Sequence, residues 1–373
     1  MAEPFKNWIN LSTIAQLADA LQREHPKADP TTFTQSAALG LEALELKQRV
    51  RQVSDCLRRA LPERWEDAAP VLLRMLPPPL QRDHDFAENV RVWPMTDVVA
   101  QYGLDHPALS LPLLAEMTRR WSSEFAIRPY IVRWPDETAA ALDAWVQHPD
   151  LHVRRLVSEG SRPRLPWGQR LEAACRAPEA GLARIAHLLS DPSPYVRRSV
   201  GNHLGDVCKD HPELAVRTAA QWSLQGHAAI AKRGLRSLLK AGHPGALVLF
   251  GQGHPIEILE VHIPKTAEIN GTLPVSATLR TVEACEARVD LVWRWPGSKG
   301  TRSATFRSGG AQLSAGEVWH YAGALKLRRT STRAVPAGTH ALIVRVNGAD
   351  HDAIEFEVTE PRRFSAAKCS QSA

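Results

Sequence analysis

His148 to Gly160 reads HPDLHVRRLVSEG, and the same arrangement returns 43 residues later as DPSPYVRRSVGNH, from Asp191 to His203. Pro149 falls on Pro192, Val153-Arg154-Arg155 on Val196-Arg197-Arg198, and Val157 on Val200. In each copy a helix is expected to start just after the proline. Val153, Leu156 and Val157 fall at i, i+3 and i+4, an apolar stripe that needs a core to face. A weaker third copy, GHAAIAKRGLRSLLKAG, starts at Gly226. Such units cannot bury their apolar faces alone, so they are expected to stack.

A D-P-x-x-x-V-R pattern before an amphipathic helix, at a period of roughly 40 to 47 residues, resembles HEAT repeats, an α-α superhelix. The repeat by itself says nothing about a ligand, and most such solenoids bind proteins. Upstream, residues 1 to 115 read as helical, with FTQSAALGLEALELKQRVRQVSDCLRRALP, from Phe33 to Pro62, as one long stretch and Pro77 to Pro79 as the clearest break. Beyond Gly251 the texture changes to ILEVHI, LPVSATLRTV, ARVDLVWRW, SATFRS, ALIVRVNG and AIEFEV, short runs rich in β-branched residues between turns. Cys285 with Trp293 and Trp295 matches part of the antibody pattern, but no second cysteine stands within that stretch. The expected architecture is therefore mainly α: an α-α superhelix of HEAT-like repeats over residues 1–250, then an immunoglobulin-like antiparallel β-sandwich over 251–361 without an inter-sheet disulfide. Residues 362–373 are expected to be a disordered tail.

Charge is distributed unevenly. Residues 116–245 carry 19 Lys and Arg against 13 Asp and Glu, and supply the whole net charge of +6 in size. A basic middle suits a polyanion. No apolar run approaches the roughly 18 residues of a membrane span, and the N-terminus lacks a signal pattern, so a cytoplasmic protein with no membrane partner is expected. The cysteines are five, widely spaced and without a CxxC pair, which argues against both a disulfide framework and a zinc cage. P-loop, GxGxxG, HExxH and GxSxG signatures are all missing, so neither a cofactor nor a metal is expected.

Three constellations carry possible chemistry. Arg155, Glu159 and Arg162 fall at i, i+4 and i+7, with Trp167 a few residues on. An acid between two arginines is either a solvated salt-bridge ladder or a carboxylate held beside an anionic ligand. Arg198, Asn202 and Asp206 repeat that spacing on nearly the same face, and Lys232, Arg236 and Lys240 do so in the third copy, where ordinary helix surface is the better reading. Upstream, Trp121, Glu124, Phe125 and Arg128 would share one helical face, with core packing and a Glu124–Arg128 pair as the plain alternative. Carboxylates and aromatics inside a basic groove suit a ligand that is anionic along its backbone yet carries a cationic base, because aromatic faces attract cations. His203 reads as a satisfied core or cap histidine.

PFKNWIN, SSEFAIRPYI, VRRLVSEGSRPRLPW and DPSPYVRRSVGNHLGD together resemble the HEAT-like-repeat alkylpurine DNA glycosylases, in particular the AlkC branch, part of which carries an immunoglobulin-like domain. The resemblance covers nearly the whole chain. It implies a monofunctional enzyme that hydrolyses the N-glycosidic bond of cationic N3-alkylated purines, chiefly 3-methyladenine, in double-stranded DNA without conventional base flipping. It further implies Glu124, Glu159 and Asp206 as catalytic carboxylates, with water positioned by Glu159 or Asp206, and Phe125 and Trp167 at the base. Arg155 and Arg162 would orient Glu159 and grip phosphates, with Arg198, Asn202, Lys232 and Arg236 as further DNA contacts. The sandwich either clamps the duplex through Arg302, Arg307, Lys326, Arg328 and Arg329, the reading placed first, or merely supports the solenoid, and a monomer is expected. The competing reading is a non-catalytic repeat scaffold for protein or DNA partners, which leaves the acids in the basic face unexplained.

Overall fold

The computed structural model describes residues 4–80, 89–298, 300–330 and 334–360, so the tail expected from 362 lies outside the described residues. The chain forms two compact units, Met1–Gly234 and Leu235–Ala373.

Among the described residues the first unit is built of helices joined by turns, and its prolines open helices rather than merely ending them. Pro30, Pro107, Pro135, Pro194 and Pro212 each occupy the first turn, where a missing N–H costs nothing. Side-chain caps add to this: Asn10 accepts from the Thr13 amide at 3.1 Å, and Asp150 accepts from the His152 amide at 2.8 Å. The two repeat copies become the Leu151–Gly160 and Pro194–Val207 helices, which pack on one another. Val153, Leu156, Val157, Val196, Val200 and Leu204 are fully buried between and around them. Each such side chain contributes about 1.5–3 kcal/mol by leaving water. The first arginine of each VRR pair folds back on the turn that starts its helix. Arg154 Nη1 donates to the carbonyls of His148 and Pro149, both at 2.9 Å, and Arg197 Nη1 to those of Asp191 and Pro192.

Three helical expectations need correction. The stretch from Phe33 to Pro62 is not one run: a helix ends at Ala38, Gly40 adopts φ +66°, a 3-10 turn spans Leu41–Ala43, and a second helix covers Leu46–Ala60. Residues 119–127 are turns, not helix, so Trp121, Glu124, Phe125 and Arg128 share no helical face. Here the Thr118 hydroxyl accepts from the Ser123 amide at 2.9 Å and the Ser123 hydroxyl donates to the Leu114 carbonyl at 2.8 Å. These side chains give the backbone an alternative to the helix ladder. The third copy also breaks, into Ala228–Gly234 and Arg236–Ala241, so Lys232 does not lie on the same continuous helix as Arg236 and Lys240, and the two pieces belong to different units.

The second unit opens with two short helices, Arg236–Ala241 and Pro244–Leu249. Among the described residues nine strands follow: β1 Ile256–His262, β2 Thr266–Glu268, β3 Thr272–Thr281, β4 Cys285–Gly297, β5 Gly300–Leu313, β6 Val318–Lys326, β7 Gly338–Val346, β8 Ala349–Asp350 and β9 Ile354–Thr359. One sheet runs β1-β3-β6; the other runs β2-β9-β7-β4-β5, with β8 on β7. All pairings are antiparallel except β2 with β9. Leu273, Val275, Ala277 and Leu279 point inward from β3 in alternation, the period-two pattern of a sheet with one wet face. Trp293 is fully buried, stands 4.5 Å from Trp295 and donates its Nε1–H to His340 Nδ1 at 3.0 Å. Cys285 is buried and free, so packing and not a disulfide joins the sheets. β6, VWHYAGALK, escaped the sequence reading because small residues and a glycine dilute its β-branched content.

Candidate active site

The turn at 119–127, the Leu151–Gly160 helix, the segment that follows it and the Pro194–Val207 helix bring five charged side chains into one line of alternating sign. Glu124 Oε2 lies 3.0 Å from Arg155 Nη1, and Arg155 Nη2 lies 3.7 Å from Glu159 Oε2. Arg162 Nη1 donates to Glu159 Oε1 at 2.7 Å, then meets Asp206 as a fork, Nε to Oδ2 at 2.8 Å and Nη2 to Oδ1 at 3.1 Å. Arg162 stands beyond the helix end at Gly160, which frees it to turn toward Asp206. The Glu124–Arg128 pair of the plain alternative is absent among the described residues: Glu124 takes Arg155, while Arg128 is fully buried and donates to backbone carbonyls.

Burial and charge compete along this line. Burial alone would raise the Glu159 carboxyl, but the Arg155 and Arg162 guanidiniums and the Ser199 hydroxyl more than offset it and hold its pKa below the ordinary value. Burial works against the charged form of Arg155 too, and Glu124 and Glu159 overcome it, so its pKa is raised. The same balance raises Arg162 against Asp206 and Glu159. The Glu159 carboxylate is therefore an anion at neutral pH, fixed by cations that remain charged. His203, fully buried beside them, has its pKa pushed down to about 4 by burial and accordingly sits neutral, Nδ1 bonding the Ser158 carbonyl at 3.0 Å.

This line borders a cavity of about 400 Å³ whose wall includes Glu124, Arg155, Glu159 and Arg162 together with Trp8, Trp93, Phe125, Trp167 and Tyr195. Asp206 is not part of that wall and reaches it through Arg162. The aromatics support one another: Phe5 stacks on Trp8 at 4.0 Å, and Trp93 stacks on both Trp121 at 5.5 Å and Phe125 at 5.9 Å. Arg155 lies over the Tyr195 ring, 4.6 Å from its centroid. Trp167 is 65% exposed and holds φ +63°, a conformation that L residues rarely adopt, at the mouth of the site. Its carbonyl accepts from Lys47 Nζ, and Lys47 also lies 5.7 Å from the Phe125 centroid. From within, Arg128 ties the segment down, donating to the carbonyls of Gln169 at 2.5 Å, Gly160 at 2.7 Å and Pro163 at 3.5 Å.

The three carboxylates differ in what remains open. Glu159 has Arg162 on one oxygen and Ser199 on the other, and Asp206 has Arg162 on both. Glu124 Oε2 takes Arg155 and the Ser122 hydroxyl, each at 3.0 Å, while Oε1 has no hydrogen-bond partner among the described residues. Of the proposed DNA contacts, Arg198 is exposed, Asn202 accepts from Arg233 at 3.2 Å, and Lys232 and Arg236 are exposed. Positions 198, 202 and 206 rotate about 80° around the helix, so only Asp206 turns inward. In the second unit, Arg307 donates to the Gly309 carbonyl and Arg329 to Glu360, while Arg302, Lys326 and Arg328 are exposed. The sequence reading missed Phe5, Trp8, Trp93, Tyr195 and Ser199 as site residues. Phe5 and Trp8 lie in PFKNWIN and Tyr195 and Ser199 in DPSPYVRRSVGNHLGD, stretches that carry the resemblance without marking these residues, and Ser199 also interrupts an apolar stripe.

Comparison with known proteins agrees with this layout. Residues 257–360 match the family model described as "Uncharacterised protein YhaZ, C-terminal Ig-like domain". The whole chain is 32% identical to "Uncharacterized protein YhaZ" of Bacillus subtilis, over 95% of this chain and 99% of that one. Among solved structures it is similar to the Pseudomonas fluorescens alkylpurine DNA glycosylase AlkC bound to DNA containing an abasic site analog, at TM-score 0.85 and 32% identity, covering 96% of this chain and all of the other. With a helical unit and an immunoglobulin-like unit matched end to end, the chain belongs to the AlkC and YhaZ family of alkylpurine DNA glycosylase-like proteins.

Proposed function

We propose that this protein is a monofunctional DNA glycosylase that removes cationic N3-alkylated purines, chiefly 3-methyladenine, from double-stranded DNA without conventional base flipping, as the first step of base excision repair. The likeness to AlkC supports the glycosylase role. The observation that carries the finer reading is the chain of alternating charge ending at Glu124, which lines an aromatic cavity and keeps one oxygen without a hydrogen-bond partner among the described residues. An N3-alkylated purine already bears positive charge, so breaking its bond to C1′ returns the electron pair to the base and neutralises it. No strong general acid is needed. Positive charge then develops on the sugar, where preorganised carboxylates stabilise it more than they stabilise the ground state.

The hydrogen-bond inventory divides the work. Glu124 is the carboxylate with an oxygen left for water; it takes the proton as the water oxygen bonds to C1′. This moves the water-handling role away from Glu159 and Asp206, whose oxygens are already engaged. Glu159 supplies fixed negative charge beside the sugar, and Asp206 orients Arg162. Phe125 and Trp167 offer faces to the cationic base. Exposed Arg198 and Lys232 are suited to phosphate contacts. The protein acts as a monomer in this scheme, and the chemistry calls for no cofactor.

The test is single-turnover release of bases from methylated duplex DNA. Wild-type protein is expected to release 3-methyladenine, and Glu124→Gln to slow release by about 30- to 1000-fold while still binding duplex. Absence of release by the wild type above the uncatalysed background would overturn the enzymatic reading.

A further inference from the structure

Ser199 occupies a position where its helix has an apolar reason to carry leucine. The 43-residue register sets it opposite Leu156, and both sites are nearly closed to solvent, at 2% and 0% exposure. A hydroxyl in a core stripe sacrifices apolar burial and needs a partner. Its partners lie on the neighbouring copy: Glu159 Oε2 at 2.6 Å and Ser158 Oγ at 3.0 Å. One hydroxyl has one proton, and the shorter contact to an ionised acceptor takes it, so Ser158 donates to Ser199 in turn. Arg155 Nη2 stands 3.7 Å from Oε2, beyond hydrogen-bond reach, and does not replace the Ser199 hydroxyl.

From this geometry we infer that Ser199 is a positioning residue for base release, holding the Glu159 carboxylate in the orientation and charge state in which it faces the reacting sugar. This rests on the glycosylase reading above. Arg162 fixes one Glu159 oxygen and Ser199 the other, so the two together define the plane of the carboxylate. The charged and titratable groups around Glu159 are Arg155 on its own helix, Arg162 beyond the helix end, Glu124 from the 119–127 turn, and Tyr195, His203 and Asp206 from the Pro194–Val207 helix. None of these is altered by a change confined to residue 199. Ser199 lowers the carboxyl's pKa by stabilising its ionised form, so its removal raises that pKa and moves the acid limb of activity to higher pH.

The experiment uses the full chain and methylated duplex DNA, with single-turnover 3-methyladenine release followed from acid to neutral pH. Ser199→Ala is expected to lower the plateau rate by about tenfold, the size of one hydrogen bond to a charged group, and to shift the acid limb upward. Ser199→Thr, which keeps the hydroxyl, should restore both; Ser199→Val, of the same shape without it, should behave like the alanine variant. The Thr and Val pair decides the matter even if the alanine variant fails to fold. Wild-type rate and acid limb in Ser199→Ala, or equal impairment of Thr and Val, would overturn the proposal, the latter because it marks an effect of volume alone. Failure of the wild type to release any base would instead overturn the glycosylase reading itself.

Discussion

The two copies of the VRR helix start from nearly the same sequence and do different things. Their first arginines, Arg154 and Arg197, make the same pair of carbonyl contacts to the turn before the helix. Their second arginines part company. Arg155 turns inward between Glu124 and Glu159, whereas Arg198 is exposed. Leu156 is matched by Ser199, Glu159 by Asn202 and Gly160 by His203. The repeated positions are those that build a helix start and a core stripe, and the divergent ones are those that meet across the pair to make the charged line.

The comparison can be broken or sharpened by substitution. Arg154 also meets Asp191 at 2.6 Å, and the Asp191 side chain is 2% exposed. Arg154→Ala therefore strands a buried carboxylate and is expected to cost about 3–5 kcal/mol, measured by urea unfolding. Arg155→Ala should leave Glu124 and Glu159 without their shared cation and slow base release by about 100-fold, read in single turnover. His203 tests the buried histidine of the second copy. Its folded pKa of about 4 lies below the ordinary 6.5, so the unfolded chain binds a proton that the folded protein refuses between those values. Stability is thus lost as pH falls through that window, by about 3 kcal/mol, and His203→Gln should flatten this part of the unfolding profile. Arg197→Ala removes only carbonyl contacts and should cost about 1 kcal/mol; a loss equal to that of Arg154→Ala would erase the distinction between the copies. The smallest effect belongs to Arg198→Ala, which should reduce the salt dependence of duplex binding by about one unit of slope.

Much of this fold could be read along the chain because its signals are local. A proline, a capping aspartate and an apolar stripe lie within one helix, and alternation marks β3 within one strand. The charged line was partly readable for the same reason, since Arg155 and Glu159 are one turn apart. What escaped depended on residues distant in sequence. Trp8, Trp93 and Tyr195 reach one cavity from three separate segments. The turn at 119–127 looked helical because its spacing is helical; the Ser123 and Thr118 hydroxyls, which redirect the backbone, leave no trace in an apolar pattern. The third copy failed at Leu235, where the periodicity continues although the helix does not.

Arg128 has a consequence for anyone wishing to transplant the Trp167 loop onto another scaffold. Its guanidinium, sealed from solvent and with its pKa brought down to about 10 by burial, grips carbonyls at three points between Gly160 and Gln169. Backbone oxygens exist in any sequence, so the clamp constrains the path of the loop while leaving its side chains free to vary. A graft of residues 160–169 alone would lack its fastener, and the smallest portable piece is discontinuous, the loop together with one arginine from another helix. Within its own scaffold the loop can be diversified residue by residue, provided that its length and its anchor are kept.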